Sequence, residues 1–254
     1  MSEHWDFYFC MIDGEPSTVF LDLARREGAP DGRRPDCLRV RFDFLTQQEN
    51  GFPTRDEATA VEPLEDAIVA GVCEALEAAF VGRTTGGGMR QLYFYANGHT
   101  GIERALEGLG ERWPDYPLAV DVEHDPDWTI YLEHLYPTPR ERERMANREL
   151  CTALEAEGDT GEVPRPVDHW CWFASPEDRA TVAEAMAAQG FAVVATPDDE
   201  NPVAPLRYGL HLRRTDPVWW QAIDEITDAF VDALEGMDAQ YDGWESPVVR
   251  PDGG

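Results

Sequence analysis

The order of strand and helix patterns from Cys37 onward most constrains the fold of this chain. Between Cys37 and Leu45 every second residue is apolar, and this period of two indicates a half-buried strand. Apolar residues at spacings of three and four then predict an amphipathic helix over residues 61–79. Glycines at 86–88 join two further strand patterns, and a second helix and a strand at 117–122 follow. This order is β-α-β-β-α-β, which is typical of the split β-α-β arrangement.

The C-terminal part of the chain repeats this order without any repeat of sequence. Its predicted elements are a strand over 167–173, a helix from Ser175, strands over 191–196 and 206–212, a helix from Asp216 and a strand within 241–249. We therefore predict an α+β protein with two ferredoxin-like (β-α-β-β-α-β) domains built on antiparallel sheets. Element order alone carries this prediction.

Glycine and proline clusters indicate where the two domains separate. A charged helical pattern over 139–157 is followed by glycines at 158 and 161 and by Pro164-Arg165-Pro166. We predict a first domain over 1–138, a charged helix and linker over 139–163, and a second domain over 164–254. Exposed linkers of this composition commonly separate domains, so we place the boundary at 158–166.

Three sequence signals predict where helices begin. Thr100 and Glu103 have the spacing of a capping box, and Ser175-Pro176 combines a favourable cap with proline at the first helical position. Asp216-Pro217 predicts the start of the last helix. The predicted buried stripe of that helix consists of Trp220, Ile223, Thr227, Phe230 and Leu234.

The composition is strongly acidic. The 254 residues include 50 Asp and Glu against 21 basic residues, all of them Arg, and the formal net charge is −29. This charge disfavours direct binding of nucleic acid and favours a basic protein partner, although a generally acidic proteome would produce the same composition. The sequence has no apolar run of about 18 residues and no signal-peptide pattern, so we expect a cytoplasmic protein that does not enter membranes.

Few residues form a pattern typical of ligand binding or catalysis. The glycine-rich segment 82–88 lacks the Lys of a phosphate-binding loop and is better interpreted as a hairpin. Arg83, Thr84 and Arg90 beside it, together with Trp128, form our candidate binding site in the N-terminal domain. The five cysteines are scattered and include no Cys-x-x-Cys pair, and no nucleophile motif occurs.

The histidines give no strong metal signal. His169 and His211 lie on strands that would be neighbours in a ferredoxin-like sheet, and they would ligate a metal together only if they shared a face. His124-Asp125-x-Asp127 is a weaker candidate for binding a cation. We expect no metal and no organic cofactor.

The second domain resembles the regulator of ribonuclease E activity B (RraB) family. The matching residues are Asp168-His169, Gly190-Phe191 and Tyr241-Asp242-Gly243-Trp244, within roughly residues 164–250. The resemblance implies a small acidic protein with a ferredoxin-like fold that binds an endoribonuclease and lowers its activity. It implies no active site.

The first domain resembles domain-of-unknown-function family 695 over roughly residues 1–138. The matching residues are Trp5-x-Phe7-Tyr8, Asp13-Gly14, Asn50-Gly51-Phe52-Pro53, Leu64-Glu65-Asp66, Val81–Gly87, Arg90, Tyr93-Phe94-Tyr95, Asp127-Trp128, Tyr131 and Leu135-Tyr136-Pro137. This family has no activity that can be carried over.

The predicted function is regulation by protein contact, without catalysis. The partner is a basic protein, with a ribonuclease as the leading candidate. Its predicted contact residues are Asp168, His169, Asp198, Asp199, Glu200, Tyr241, Asp242 and Trp244. For Tyr241–Trp244 the alternative is a turn that leads into an edge strand with buried aromatics. Two rival functions remain: an enzyme or ligand binder acting through the N-terminal domain, and an acidic immunity-type protein.

Overall fold

The computed structural model describes residues 3–201 and 204–250 and has two compact units. The first unit extends to Pro137, and the second begins at Thr138. Each unit contains one antiparallel sheet, of six strands in the first and four in the second. The predicted mixed α+β class and its antiparallel sheets are therefore confirmed.

The first unit places a β-α-β-β-α-β segment beside an N-terminal hairpin. Its elements are β1 (Trp5–Ile12), β2 (Glu15–Asp22), a 3-10 helix (Leu23–Gly28), β3 (Asp36–Asp43), α1 (Arg55–Leu76), β4 (Ala79–Gly86), β5 (Met89–Ala96), α2 (Ile102–Arg112), β6 (Ala119–His124) and a π-helix (Ile130–Leu135). The strand order is β1-β2-β4-β5-β3-β6. The hairpin extends the sheet because β2 pairs with β4.

The two faces of this sheet are covered by different segments. On one face, Leu38 and Val40 of β3 pack against Leu64 and Ile68 of α1, and all four are fully buried. On the other face the ring of Trp128 stacks on Tyr95, with 3.9 Å between ring centroids. Alternation along the strands thus places apolar residues under the helices and aromatic and polar residues under the segment that contains the π-helix.

The second unit contains a helix followed by the second β-α-β-β-α-β segment. Its elements are α3 (Pro139–Ala156), β7 (Arg165–Phe173), α4 (Pro176–Ala188), β8 (Ala192–Ala195), β9 (Tyr208–Asp216), α5 (Trp220–Ala233) and β10 (Ala239–Glu245). The strand order is β10-β7-β9-β8. Its core joins β7 and β9 to α4 and α5 through buried residues such as Phe173, Leu210, Val182 and Phe230.

α3 occupies the part of segment 139–163 that the sequence predicts to be a charged helix. The helix packs against α5 inside the second unit, which begins at Thr138. Asn147 explains this packing, because its amide nitrogen donates to Thr227 Oγ1 and Asp224 Oδ1 on α5, both at 2.8 Å. α3 is a highly charged helix, but Asn147 on its buried side makes a polar contact that the sequence pattern does not reveal.

Two of the predicted local features are present. Gly86 and Met89 are paired across the β4–β5 hairpin, and Gly87 and Gly88 in its turn have φ values of 57° and 80°, which favour glycine. At α4, Ser175 accepts a hydrogen bond from the backbone N–H of Asp178, and Pro176 begins the helix.

The other two helix starts differ from the prediction. The cap of α2 is Gly101, with φ of 104° and no side-chain cap, so the capping box at Thr100 is wrong. β9 continues to Asp216, which pairs with Arg165, and α5 begins at Trp220 rather than at Asp216-Pro217. Trp220 is 56% exposed, so it does not belong to the buried stripe of this helix.

Candidate functional site

The sheet of the second unit has a helix-covered face and an aromatic face. Along β7, His169, Cys171 and Phe173 point to the helices, whereas Asp168, Trp170 and Trp172 alternate with them on the opposite side. Neighbouring strands complete the aromatic face, which we define as Asp168, Trp170, Trp172, His211, Arg213 and Asp242. Both tryptophans are half-buried, and Asp242 is exposed.

Asp168 anchors an ionic network on the aromatic face. Arg213 donates two hydrogen bonds to its carboxylate, from Nε at 2.8 Å and from Nη2 at 2.9 Å, and His211 Nε2 contacts the same carboxylate. Burial alone would raise the pKa of Asp168, but the hydrogen bonds from Arg213 and His211 outweigh it and lower the pKa. The predicted contact residue Asp168 is therefore an ionised residue tied to its own sheet.

Two aromatic contacts stiffen the same face. The rings of Trp170 and His211 stack with 3.9 Å between their centroids and 11° between their planes. Trp172 Nε1 donates to Asp242 Oδ2 at 3.3 Å. These contacts hold two large aromatic rings and a carboxylate in fixed positions, which is the composition found at protein-binding hot spots.

The predicted contact residues His169, Tyr241 and Trp244 lie inside the unit. His169 is fully buried, its Nδ1 is 2.8 Å from Tyr241 Oη, and its ring stacks on Phe230. Trp244 is 8% exposed and donates from Nε1 to Asn147 Oδ1 at 2.8 Å. These three side chains are buried and contact their own chain.

His169 stays neutral because its imidazole is buried. Burial, followed by the positive charge of Arg214, lowers its pKa to about 3. Its Nε2 is a buried atom without a hydrogen-bond partner within the described part of the chain.

Tyr241–Trp244 forms a bulge in an edge strand rather than the turn that its Asp-Gly pair suggests. The pairing of β10 with β7 shifts register between Tyr241 and Gly243, which leaves Asp242 extra. Gly243 has φ of 106°, a value that favours glycine. The bulge explains why Tyr241 and Trp244 both face inward although their positions differ by an odd number, which would place them on opposite faces of a regular strand.

Two of the three acids in segment 198–200 already interact within the second unit. Asp198 forms an ion pair with Arg179 of α4 at 2.6 Å, and Asp199 accepts a hydrogen bond from the backbone of Asn201. Glu200 is exposed. The predicted acidic loop 197–205 also includes residues 202 and 203, which lie outside the described residues.

In the first unit, Arg83 and Arg90 do not form the predicted open patch. Both guanidinium groups bind the carboxylate of Glu65 on α1, with 2.6 Å between Arg90 Nη1 and Glu65 Oε2. Arg90 is 7% exposed, and it also donates from Nε to Thr85 Oγ1 at 3.2 Å. The two arginines bind a buried acid of their own unit.

Thr84 and Trp128 lie away from that network. Thr84 lines a separate cavity of about 430 Å³, together with Arg39, Tyr93 and His134. Trp128 is 2% exposed, and its Nε1 donates to the backbone oxygen of Arg34 at 2.9 Å. The four predicted residues of the N-terminal site are thus not brought together.

The structure does not support either histidine-based metal hypothesis. Trp170 pairs with His211 and His169 pairs with Leu212, so the two histidines lie on opposite faces of the sheet. Asp125 is buried and accepts hydrogen bonds from Tyr95 Oη and from two backbone N–H groups, so it is not free for a cation. No group of three or more His, Cys, Asp or Glu able to hold a metal occurs in residues 3–201 and 204–250.

A cavity of about 630 Å³ in the second unit was not predicted. It lies where the start of α3, the end of α5 and β10 come together, and Glu143 and Tyr241 are among its lining residues. Burial raises the pKa of Glu143 to about 7, against a smaller lowering by Arg142 and a further rise from Asp242. A carboxyl group with this pKa in a cavity is a candidate for a functional residue. The sequence shows Glu143 only as one acid of a charged helix.

Replacing Glu143 by glutamine is expected to stabilise the second unit by about 1 kcal/mol at about pH 8 and to leave it unchanged at about pH 4. Native Glu143 keeps its proton up to a pKa of about 7 rather than 4.5, so stability falls as pH rises through this window. The free energy is set at about 1 kcal/mol, below what the full rise in pKa would correspond to, because solvent screens the charge of a partly exposed side chain. Chemical denaturation at both pH values checks this. Equal stability of the two proteins at high pH would contradict it.

Among the described residues, no helix is both long and apolar enough to cross a membrane.

Comparisons with known proteins find a family for each unit. Residues 144–246 match the family described as Regulator of ribonuclease activity B, which confirms the resemblance of the second unit. No curated protein matches the sequence. A crystal structure of an unknown protein from Galdieria sulphuraria matches at 13% identity over 85% of this chain and 99% of its own, with a TM-score of 0.27. That score is too low to bear on fold or function.

The first unit supplies the longer match. Residues 3–136 match the Family of unknown function DUF695, and this span is more than half of the 254 residues. The chain belongs to the DUF695 family, and its second unit carries the match to the regulators of ribonuclease activity.

Proposed function

We propose that this chain is a regulatory binding protein that lowers the activity of a ribonuclease E-type endoribonuclease through protein contact. The observation that carries the proposal is the match of residues 144–246 to the regulator family. The chain takes no catalytic part and does not bind RNA directly. This function also implies a cytoplasmic location.

We further propose that both units are ferredoxin-like. In the second unit the strand order β10-β7-β9-β8 places the fourth, first, third and second strands of the segment side by side. In the first unit β6-β3-β5-β4 gives the same order, with the β1–β2 hairpin added at the β4 edge. All the pairings are antiparallel, which supports this assignment.

The aromatic face is the proposed contact surface for the ribonuclease. It offers Trp172 as a half-buried aromatic anchor and Asp242 as an exposed acid beside it. The nearby segment 198–200 adds acids at the rim, since Pro197 lies against Gly209 and Trp172 lies against the same glycine. A formal charge of −29 complements a basic partner and repels phosphate, which favours a basic protein region over RNA.

The first test measures association with a purified ribonuclease E-type enzyme at two salt concentrations. We expect the on-rate to fall steeply as the Debye length shrinks from about 30 Å to about 8 Å. Changing Asp198→Asn, Asp199→Asn and Glu200→Gln together is expected to lower the on-rate about three- to tenfold at low salt. The matched control neutralises the exposed Glu103, Glu107 and Glu111 of α2. If the on-rate does not depend on salt, or if both triple variants lower it equally, the acids of segment 198–200 make no specific contribution to association.

The second test concerns the aromatic anchor. Trp172→Ala is expected to raise the off-rate about tenfold or more and to relieve inhibition of RNA cleavage, because buried aromatics dominate interface energetics. Trp220→Ala is the control, since this tryptophan is 56% exposed on α5. If neither variant changes binding to the ribonuclease, the aromatic face is not the contact surface. If the wild-type chain does not bind the enzyme at all, the proposed function itself is wrong.

A further inference from the structure

The cavity of about 630 Å³ in the second unit combines an apolar wall with acidic side chains. Val231 of α5, together with Leu234, Met237 and Ala239, lines its apolar part. Glu143 of α3 also lines it. A cavity of this size admits a long side chain, and its wall is suited to the methylene stem of a charged residue.

Glu143 is the half-buried carboxylate in this cavity that lacks a partner. No hydrogen bond or ion pair to it occurs among the described residues, whereas Arg140 on the same wall is bound by Asp228 and Asp232. The Tyr241 hydroxyl is engaged by His169. The cavity therefore contains a half-buried acid, Glu143, and an exposed one, Glu235, whose charges are not matched within the unit.

The remaining charged and titratable groups around Glu143 have mixed signs. From α3, Arg142 is exposed and lowers its pKa, and from β10, Asp242 raises it. Glu235 follows α5 and lines the cavity. Cys171 of β7 also lies within electrostatic reach of Glu143, and burial keeps this thiol protonated. With the pair of Arg140 and Asp232 set aside, Arg142 is outnumbered by the two acids Glu143 and Glu235, so the lining is net negative once Glu143 is ionised.

The end of α5 adds a further preference for a cation. This helix has 14 residues, contains no basic residue in its last turn, and ends beside the cavity. The C-terminal end of a helix carries a partial negative charge, which stabilises cations placed near it. Both α5 and Glu143 thus favour a positively charged ligand group.

We propose that this cavity binds an arginine side chain of a basic protein segment, with Glu143 accepting hydrogen bonds from the guanidinium group. A planar guanidinium presents paired N–H donors that match a carboxylate, and its three-carbon stem can lie along Val231, Leu234 and Met237. The identity of the segment as part of a ribonuclease rests on the proposed function. The chemistry of the cavity does not.

Binding at this site is coupled to protonation. Unbound Glu143 has a pKa of about 7, and a guanidinium beside it favours the ionised form. Arginine binding must therefore release a proton near neutral pH, and affinity must rise between about pH 6 and about pH 8. A contact with an acid of ordinary pKa would show no such rise in this range.

The test uses the full chain, an arginine-rich peptide, and calorimetric titration at about pH 6 and about pH 8 in physiological salt. We expect the peptide to bind more tightly at the higher pH, and Glu143→Gln to weaken it about tenfold there and remove the pH dependence. Glu149→Gln on the exposed part of α3 is the matched control and should leave the affinity for the peptide and its pH dependence unchanged. Identical binding curves for the wild-type and Glu143→Gln proteins would overturn the inference. Spermidine binding with the same dependence on Glu143, without peptide binding, would also overturn it.

A parallel measurement with the ribonuclease separates this inference from the proposed function. If the enzyme binds the wild-type and Glu143→Gln proteins equally, and the peptide does too, the inference fails and the proposed function stands. If the enzyme does not bind but the peptide binds with the expected pH dependence, the proposed function fails and the arginine site stands.

Discussion

Replacing Glu65 by glutamine is expected to destabilise the first unit by about 3–5 kcal/mol. Glu65 is 7% exposed, and its carboxylate binds the guanidinium groups of both Arg83 and Arg90. Arg90 is 7% exposed, so removing the negative charge leaves a buried cation without compensation. Breaking one partner of a buried ion pair carries a cost of this size, even though the intact pair contributes little net stability.

The matched control is Glu62→Gln, which removes an exposed acid from the same helix. Its effect should stay within about 0.5 kcal/mol. Because the chain has two units, hydrogen exchange is a better measurement than a single global unfolding curve. Protection of backbone amides should be lost only before Pro137. Equal stability of the two variants would mean that Arg83 and Arg90 are solvated, and the predicted ligand patch at Arg83 and Arg90 would regain support.

The fold was predictable where local patterns are sufficient. β3, α1 and the β4–β5 hairpin follow from periodicity and from glycines in the turn, which act over a few residues. The addition of the β1–β2 hairpin to the β4 edge was not predictable, because it depends on the pairing of Val19 with Thr84, which is far away in the sequence. Such long-range pairing leaves no signal in a single sequence.

The helix starts show how tertiary structure overrides local signals. Asp216-Pro217 has the residues of a helix start, but Asp216 completes the pairing of β9 with β7 and accepts a hydrogen bond from Arg214. At Thr100 the chain uses the positive φ of Gly101 instead of a side-chain cap. Cap residues are only preferences of about 1 kcal/mol, which a strand pairing or a turn can outweigh.

The candidate site was predictable in part. The alternation of Asp168, Trp170 and Trp172 along β7 places them on one face from sequence alone. The burial of Trp244 was not predictable, because it depends on Asn147, which is 97 positions away on a charged helix that the sequence places outside the second domain. Glu143 lies on the same helix, so its cavity was missed for the same reason.

Replacing Asp159 by asparagine is expected to destabilise the second unit by about 3–5 kcal/mol, although Asp159 lies in the predicted linker. Its carboxylate binds the guanidinium of Arg165, and the two residues are 1% and 2% exposed. The same carboxylate accepts hydrogen bonds from the backbone N–H groups of Gly161 at 2.9 Å and Val249 at 2.7 Å. One buried acid therefore joins the end of α3, the start of β7 and the segment after β10.

The pKa of Asp159 gives this prediction a pH signature. Hydrogen bonding from Arg165 lowers it from 3.8 to about 2, with burial acting in the opposite direction. The carboxylate therefore contributes stability above about pH 4, and this contribution is lost as pH falls towards 2. Asp159→Asn should remove the contribution at all pH values, so the two proteins should converge in stability only in strong acid.

Limited proteolysis completes the test, with Glu162→Gln as an exposed control in the same loop. Asparagine has the same shape as aspartate but leaves Arg165 as a buried cation without a counter-charge, so the loop should open and residues 158–166 should be cleaved. The wild-type and Glu162→Gln proteins should resist cleavage there, because the buried pair holds the loop closed. Rapid cleavage of all three proteins at 158–166 would contradict a structural role for Asp159. It would instead favour the domain boundary that the glycines and prolines of this segment predict.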